Sequence, residues 1–247
     1  MLTNNLGQTI AHNQAIFPLI AYVKRTPNFI CVGTAFFINP NGWFVTAKHV
    51  LYDNNNNIFS MIMGVQTLSN KNLVLRPITH LSIHPQADIA LGKLGQARDE
   101  KAQETDFEMA HIFKMSMKPL EINDKIAAYG YPRTSREFTH PHISFNFTGN
   151  WTTGLVQSFL PEGSPIVRNR CYQTSMFIDS GSSGGPVFRN NCVVGVNSSG
   201  MDLEEGSEPL SFITPIDFLL DLQAEENEQG LFSIRDLINL GIIDVEN

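Results

Sequence analysis

The chain has 247 residues, enough for one large domain or two small domains with hydrophobic cores. Apolar residues make up 42% of it and charged residues 17%, a composition that excludes a disordered chain. The net charge is -7 and Lys and Arg form no cluster, so a surface for nucleic acid or for an anionic membrane is not expected. No apolar run approaches the roughly 20 residues of a membrane span.

Short strand-like segments follow one another from about residue 15 to residue 217. They are rich in β-branched and aromatic residues, and turn sequences such as NPNG, DNNNN and PEGSP separate them. Many short strands with frequent turns indicate a β-sandwich or β-barrel and not a parallel α/β sheet. In chain order the predicted strands are IFPLIAYVKR, VGTAFFIN, GWFVTAKHV, IALGKL, KIAAYGYP, NWTTGLVQSF, NCVVGVNSSG and LSFITPI.

Two segments depart from this β pattern. Residues 95–117 are charged and then mixed, which indicates a connector or partial helix between two β halves. Near the C-terminus, apolar residues recur at helical spacing in PIDFLLDLQAEENEQG and LFSIRDLINLGIID, which predicts one or two helices. We therefore expect a first β half, a connector, a second β half and a helical extension, at residues 1–95, 96–117, 118–217 and 218–247.

The stretch DSGSSGGPVF, residues 179–188, combines hydroxyl groups with several glycines. Gly181, Gly184 and Gly185 around Ser182 and Ser183 allow a turn with unusual backbone angles and inward-pointing N–H groups. A nucleophilic serine needs that environment, because N–H donors must face the oxyanion that develops during acyl transfer. Taken alone, the stretch is more typical of a flexible loop.

Two other segments supply the groups that activate such a serine. His49 follows the strand-like run in GWFVTAKHVL, and Asp88 directly precedes an apolar run in HPQADIALGKL. A serine hydroxyl is a weak nucleophile at neutral pH, so it needs an imidazole to take its proton and a carboxylate to orient that imidazole. Each residue alone fits a structural role, but His49, Asp88 and Ser183 together predict a catalytic triad.

With their surroundings these residues resemble the trypsin-fold (chymotrypsin-like) serine proteases, most closely the high-temperature-requirement type. GTAFFINPNGWFVTAKHV is similar to the segment that ends in that type's catalytic histidine, ADIALGKL to its aspartate segment and FIDSGSSGGPVF to its nucleophile loop. The resemblance extends over residues 33–222. It implies an all-β fold of two six-stranded antiparallel Greek-key β-barrels, trypsin-like, with the active site in the cleft between them and one or more C-terminal helices.

The resemblance also implies roles within the site. Ser183 occupies the nucleophile position, and the backbone N–H groups of Gly181 and Ser183 form the oxyanion hole. Ser198, Ser199 and Gly200 are expected to pair with the substrate as an extended strand. No metal or organic cofactor is implied, and metal-ligand spacing is lacking around the other histidines considered, which are His80, His84, His140 and His142.

The specificity pocket is expected to be shallow and apolar. Phe177 stands six residues before Ser183, where trypsin-type enzymes hold an Asp, and Gly200 and Ser211 add little bulk to the pocket wall. Asn197 stands where glutamyl-specific relatives place a His. Small or medium apolar side chains are therefore favoured before the cleaved bond. The opposite interpretation, a preference for basic side chains, depends on three loop carboxylates, which are Asp202, Glu204 and Glu205.

The sequence departs from the proteases it resembles in two respects that bear on regulation. Ser182 replaces the Asp that binds a freshly cut N-terminus in secreted digestive relatives, so no trypsin-like zymogen switch is expected. Too few residues follow PIDFLLDL for the peptide-binding PDZ module of the high-temperature-requirement type. Trimerisation and PDZ-based regulation are therefore not carried over to this chain.

The three cysteines, Cys31, Cys171 and Cys192, cannot all pair, and no two of them have zinc-type spacing. Cys31 corresponds to half of a disulfide in the secreted relatives, but Val50 follows His49 where the other half would stand. We therefore expect reduced thiols. Together with the absence of a basic start and apolar block in MLTNNLGQTIAHNQAIF, they predict a cytoplasmic location.

The leading functional prediction is an active serine endopeptidase that forms an acyl-enzyme through Ser183 and binds a protein or peptide substrate as an extended strand. One alternative is a signalling protease that has little basal activity until an activating protein partner or a stress signal orders its loops. Another is a catalytically silent binding module on the same fold, against which the complete triad and the glycine-rich loop argue. Neither nucleic acid nor a membrane is expected as a partner.

Overall fold

The apolar runs of the sequence form the walls of two antiparallel β-barrels in the computed structural model of the chain. All pairings between barrel strands are antiparallel, as hairpin connections of short strands require. The residues that the structure describes are 2–23, 28–98, 104–105, 109–139, 142–201, 210–225 and 230–246.

The first half of the chain contains an N-terminal hairpin, the first barrel and two short strands that extend it. The strands are β1 (Leu2–Thr3), β2 (Thr9–Ile10), β3 (Ile16–Val23), β4 (Asn28–Phe37), β5 (Trp43–Thr46), β6 (Ile62–Thr67), β7 (Leu73–Ile83), β8 (Ala90–Leu94), β9 (Ala97–Arg98) and β10 (Glu104–Thr105). The barrel follows the order β6-β3-β4-β5-β8-β7 and closes because β7 pairs with both β6 and β8. Aromatic side chains fill it, with the rings of Phe17 and Phe37 4.5 Å apart.

The second half of the chain forms the second barrel. The strands are β11 (Lys125–Gly130), β12 (Ser135–Thr139), β13 (His142–Asn146), β14 (Asn150–Leu160), β15 (Cys171–Thr174), β16 (Pro186–Arg189), β17 (Cys192–Met201) and β18 (Leu210–Pro215). The order β11-β14-β15-β18-β17-β16 closes through pairing of β16 with β11, and β12 with β13 forms a separate hairpin. Its core contains Ile126, Val156, Tyr172, Val187 and Ile213. The predicted pair of six-stranded barrels is thus confirmed.

The segment between the barrels is extended where the structure describes it, and the partial helix considered for it is absent from that described part. Met115 forms parallel bridges with Val193 and Val245. The amide of Ser116 donates to the carbonyl of Val193 at 2.8 Å, and the amide of Val193 donates to Lys114 at 2.9 Å. Because these backbone groups find partners in β17 and in the C-terminal tail, they are not available for helical hydrogen bonds.

The C-terminal extension contains less helix than its periodicity predicted. A 3₁₀ helix at Ile216–Asp221 leads into a hairpin of β19 (Gln223–Glu225) and β20 (Leu231–Ser233), followed by α1 (Ile234–Asn239). Ser233 caps α1, since its hydroxyl accepts a hydrogen bond from the amide of Asp236 at 3.1 Å. The three predicted boundaries between the four segments stay predictions. No helix in the described part of the chain has the length and apolar character needed to cross a membrane.

Candidate active site

His49 lies on a one-turn 3₁₀ helix, Lys48–Leu51, that follows β5 directly. β5 is buried along its whole length, and Val50 and Leu51 of the turn are buried as well. The amide of Val50 donates to the carbonyl of Ala47 at 3.2 Å. The core therefore fixes the backbone of the turn, while the side chain of His49 remains 48% exposed.

Asp88 ends a tight loop that leads into β8. His84 organises this loop, because its Nδ1 accepts hydrogen bonds from the backbone amides of Gln86 at 3.1 Å and Ala87 at 2.7 Å. Lys48 Nζ donates to the carbonyl of His84 at 3.0 Å. Lys48, which precedes His49, is thus bound to the loop that carries Asp88.

His49 and Asp88 form a hydrogen-bonded pair at the side of a cleft. Nδ1 of His49 lies 2.9 Å from Oδ2 and 3.0 Å from Oδ1 of Asp88, and the backbone N–H of His49 donates to Oδ1 at 3.0 Å. A carboxylate only accepts hydrogen bonds, so Nδ1 carries a proton and Nε2 has the lone pair of a base when the ring is neutral. Burial lowers the pKa of His49, but the hydrogen bond and charge of Asp88 together raise it above its ordinary value.

Ser183 lies in the turn between β15 and β16, and this turn requires glycine at two positions. Gly181 has φ +93° and Gly184 has φ +85°, a region that L side chains rarely adopt. Within the described residues, the amides of Gly181 and Ser183 have no hydrogen-bond acceptor. The turn therefore leaves unpaired the two N–H groups predicted to form the oxyanion hole. Three other amides of the turn donate to backbone carbonyls, and they belong to Ser182, Gly184 and Gly185.

Thr34, on β4 of the first barrel, fastens this turn of the second barrel. Its amide donates to the carbonyl of Ser183 at 2.8 Å, and its hydroxyl donates to the carbonyl of Gly181 at 2.8 Å. The same hydroxyl accepts from the amide of Tyr131 at 3.0 Å, and its carbonyl accepts from Thr46 Oγ1 at 2.8 Å. Thr34 is fully buried, so these bonds are shielded from water.

Close packing at glycines brings the turns of Ser183 and His49 together. A Cβ at Gly33 would lie 2.7 Å from Val50 Cγ2 and 2.8 Å from the carbonyl oxygen of Ser183, so only glycine fits between them. The hydroxyl of Ser183 makes no hydrogen bond to His49 or to any other described residue. Catalytic hydrogen bonds of this kind are often long without substrate and shorten in the complex.

A cleft of about 710 Å³ opens beside the His49–Asp88 pair. Residues of both barrels line it, as expected for a site between the two barrels. A larger cavity of about 950 Å³ lies beside Trp151, and none of the triad residues lines it, so size alone does not locate the site. The cleft is lined by Lys48, His49, Tyr52, Asp53, Asn54, Asn56, Gln86, Ala87, Asp88, Ile166, Val167, Arg168, Asn169, Ser198 and Ser199.

The residues predicted to bind substrate differ in exposure. Phe177 is 48% exposed, and Gly200 pairs with Ser211 across β17 and β18. Asn197, Ser198 and Ser211 are at most 1% exposed. Of the predicted strand Ser198–Gly200, Ser198 and Ser199 line the cleft. The substrate-binding roles stay predictions, and the alternative carboxylates lie outside the described residues: Asp202, Glu204 and Glu205.

Two of the other histidines, His80 and His84, and the three cysteines have structural surroundings. His84 is buried and accepts two amides, and His80 Nδ1 lies 3.1 Å from Thr79 Oγ1, whereas His140 lies outside the described residues. No cluster of three His, Cys, Asp or Glu side chains that could hold a metal occurs among the described residues. All three cysteines are free, and burial raises the pKa of Cys171 to about 11. That thiol is therefore protonated and unreactive at neutral pH.

Sequence patterns alone did not single out several residues that build this site. Thr34 and Gly33 belong to the strand segment VGTAFF, where a Gly-Thr pair inside an apolar strand is the available signal. His84 precedes a Pro in a turn, which marks the loop but not the role of the ring. Asn169 donates and accepts hydrogen bonds around Asp88, and nothing in its local sequence indicates this.

The chain is similar to a probable periplasmic serine endoprotease, DegP-like, of Bartonella henselae, with 26% identity over 203 residues that cover 82% of this chain and 34% of the relative. The chain thus spans about a third of the length of the curated relatives it matches. Its fold is similar to that of the Rv3671c protease from M. tuberculosis in its active form, with a TM-score of 0.57 and 15% identity over 84% of this chain and 78% of that one. It is also similar to the HtrA-type protease AlgW with tripeptide, with a TM-score of 0.59 and 16% identity over 93% of this chain and 62% of that one.

These relatives correct one prediction and confirm another. The endoproteases are named as periplasmic, so the predicted cytoplasmic location is wrong. The physical reason is that burial raises the pKa of all three thiols, which are therefore protonated and unreactive, and their unpaired state did not identify a reducing compartment. The trypsin-like peptidase domain family matches residues 33–196, more than half of the chain, and the match includes His49, Asp88 and Ser183. As the resemblance implied, the chain belongs to the trypsin-like peptidase domain family.

Proposed function

We propose that the protein is a serine endopeptidase that hydrolyses peptide bonds through Ser183, His49 and Asp88. One observation carries the proposal: a carboxylate holds the imidazole of His49 through Nδ1, and the turn of His49 packs at Gly33 beside the turn of Ser183, in which the amides of Gly181 and Ser183 are unpaired. General-base activation needs the first part of this arrangement, and oxyanion stabilisation needs the second. A silent module would not require either part.

The geometry supports the following sequence of steps. Ser183 Oγ attacks the peptide carbonyl and gives its proton to Nε2 of His49, and the oxygen of the carbonyl becomes an oxyanion that the amides of Gly181 and Ser183 receive. Asp88 stabilises the imidazolium. His49 then protonates the leaving amine as the C–N bond breaks, which leaves an acyl group on Ser183. Water, deprotonated by His49, releases the acyl group as a carboxylic acid and restores the serine.

The substrate is a protein or peptide bound as an extended strand along Ser198–Gly200. The cleft supports this, since Ser198 and Ser199 line it together with His49 and Asp88. Phe177 and the small residues Gly200 and Ser211 favour a small or medium apolar side chain before the cleaved bond. The names of the relatives support a periplasmic place of action.

Labelling with a fluorophosphonate probe tests the proposal. The probe forms a phosphoserine-like adduct with an activated serine as its fluoride leaves, and intact-mass spectrometry counts the adducts. We expect one adduct on the wild-type protein and none on Ser183→Ala or His49→Ala. Ser182→Ala is the matched control, because its side chain is buried next to the nucleophile and should leave labelling intact.

Two results would contradict the proposal. Loss of labelling in Ser182→Ala but not in Ser183→Ala would show that the other serine is the nucleophile. An unlabelled wild-type protein would show that the site has no basal activity, as in a partner-gated protease or a silent module. With peptide substrate, Ser183→Ala should lower turnover by about 10⁶.

A further inference from the structure

Asn169, just before β15 of the second barrel, contacts the candidate carboxylate residue of the first barrel. Its Oδ1 accepts a hydrogen bond from the backbone amide of Asp88 at 2.9 Å, across 81 positions of sequence. The side chain of Asn169 is 8% exposed, so the bond is largely shielded from water. A buried polar contact of this kind fixes the position of both partners.

The orientation of the Asn169 amide is determined by its other partners. Nδ2 donates to the carbonyl of Arg170 at 2.7 Å and to Thr214 Oγ1 at 3.2 Å. The hydroxyl of Thr214 in turn lies 2.6 Å from that of Ser198, in the strand predicted to bind substrate. A flipped amide would place two N–H groups against the amide of Asp88 and its oxygen against a carbonyl, so only one orientation satisfies every partner.

The C-terminal extension contacts the other end of the Asp88 loop through Phe218. The ring of His84, which organises the loop, lies 5.1 Å from the ring of Phe218, and the guanidinium of Arg170 lies 4.2 Å from that same Phe218 ring. Arg170 therefore supports the start of the loop through Phe218, while Asn169 contacts its end at Asp88. The end of the loop thus depends on docking of the two barrels, and its start on docking of the C-terminal extension.

We propose that Asn169 is a positioning residue for Asp88, a role that rests on the proposed function of the His49–Asp88 pair. Asp88 uses both carboxylate oxygens on Nδ1 and on the backbone N–H of His49. A displaced Asp88 backbone would lengthen these bonds and let the imidazole turn away from Ser183. Misplacement of about 1 Å near a reacting group can lower a rate by roughly 10²-fold.

The test compares two substitutions that separate hydrogen bonding from charge. Asn169→Ala removes the acceptor, and we expect kcat to fall roughly 10- to 100-fold with KM within about twofold. The loosened Asp88 should also lower the apparent pKa on the acidic side of the kcat/KM profile. Asn169→Asp keeps the acceptor for the amide of Asp88 but sets its second oxygen against the carbonyl of Arg170, so it should recover only part of kcat. Its added negative charge should shift that pKa upward. The other charged groups of the cleft are unchanged in both variants, and they are Lys48, Asp53 and Arg168.

Asn39→Ala is the matched control for a purely structural effect. Asn39 is a buried asparagine of the first barrel whose Oδ1 accepts from the amide of Asn41, away from the cleft. Its loss should lower the melting temperature without moving the pH profile. Equal pH profiles for wild type, Asn169→Ala and Asn169→Asp would overturn the positioning role, whatever their stability.

A measurement without substrate separates this inference from the proposed function. The Nδ1 proton shared by His49 and Asp88 should give a downfield proton NMR resonance in the wild-type protein and in Asn39→Ala. It should be lost or shifted in Asn169→Ala and retained in Asn169→Asp. If the protein proved inactive while the resonance responded in this way, the proposed function would fail and the role of Asn169 would stand. An Asn169→Ala spectrum identical to wild type, or no such resonance in wild type, would refute it.

Discussion

Substitution of Thr34 by Val should weaken both the stability and the activity of the protein. The two side chains have nearly the same shape, so the change removes a hydroxyl and little packing. That hydroxyl donates to the carbonyl of Gly181 at 2.8 Å and accepts from the amide of Tyr131 at 3.0 Å, at a residue with no solvent exposure. Thr34→Val therefore leaves one buried acceptor and one buried donor without partners.

The magnitude follows from those two groups. A buried polar group that loses its partner costs about 1–3 kcal/mol, so the free energy of unfolding should fall by about 2–6 kcal/mol. For a chain of this size each kcal/mol lowers the melting temperature by roughly 2–4 °C, which predicts a drop of at least about 4 °C. The carbonyl of Gly181 also fixes the turn of Ser183. If its release withdraws one oxyanion donor, kcat should fall by about 10²- to 10³-fold.

Urea unfolding and turnover of a fluorogenic peptide measure the two effects. Thr34→Ser is the matched control, because it keeps both hydrogen bonds and loses only a methyl group, worth about 1 kcal/mol. We expect Thr34→Ser to keep most of the activity. If Thr34→Val and Thr34→Ser were equally stable and equally active, the hydroxyl would not fasten the turn and the reasoning would be wrong.

Two further predictions concern His49 and Gly184. Because the pKa of His49 is raised, kcat/KM should fall as the pH drops through a value above the ordinary histidine pKa of about 6.5. The charged His49–Asp88 pair should stabilise the fold fully at a pH below the pKa of His49 in the unfolded chain. This stabilisation should be lost as the pH rises through the pKa of His49 in the folded protein. Asp88→Asn should move the acidic limb of the rate–pH profile to lower pH, and an unmoved limb would contradict this assignment. Gly184→Ala should unfold at a lower urea concentration than Gly7→Ala. Both glycines have positive φ, but a Cβ at Gly184 would meet Thr34 O and Thr46 Oγ1, whereas a Cβ at Gly7 would meet nothing within 4 Å. Equal losses would mean that backbone strain alone decides.

The fold was predictable because its signals are local. Each barrel strand is a short apolar run bounded by turn residues, and the motifs around His49, Asp88 and Ser183 are contiguous segments. Closure of the barrels depends on pairings such as β3 with β6 and β11 with β16, which join distant segments. Pattern alone gives no register for such pairings, and the resemblance supplied the architecture that they produce.

The parts of the site that were not predictable depend on contacts across the barrel interface. Thr34 meets Gly181 across 147 positions, and Asn169 meets Asp88 across 81. A Thr in a strand and an Asn before a strand are ordinary locally, so only the folded structure reveals their partners. In the C-terminal segment a local signal was misleading. Its apolar spacing predicted helix, but Gln223–Glu225 pairs as a strand with Leu231–Ser233. Tertiary pairing outweighed local spacing there.

The contacts that Thr34 and Asn169 make across the barrel interface are reciprocal, and a double-mutant cycle can show whether they act on one site. Thr34 of the first barrel holds the turn of Ser183 in the second, and Asn169 of the second barrel holds Asp88 in the first. Among the described residues, Thr34 and Asn169 share no hydrogen-bond partner, so the losses of unfolding free energy in Thr34→Val and Asn169→Ala should add within about 0.5 kcal/mol. Their effects on kcat/KM should not multiply, because an imidazole aligned by Asp88 is of little use once the serine is displaced, and residues that act as a unit are strongly non-additive. The four proteins of the cycle, measured for unfolding and for kcat/KM, separate these cases. If the losses of kcat/KM in the two single variants multiplied in the double variant, Thr34 and Asn169 would serve independent steps.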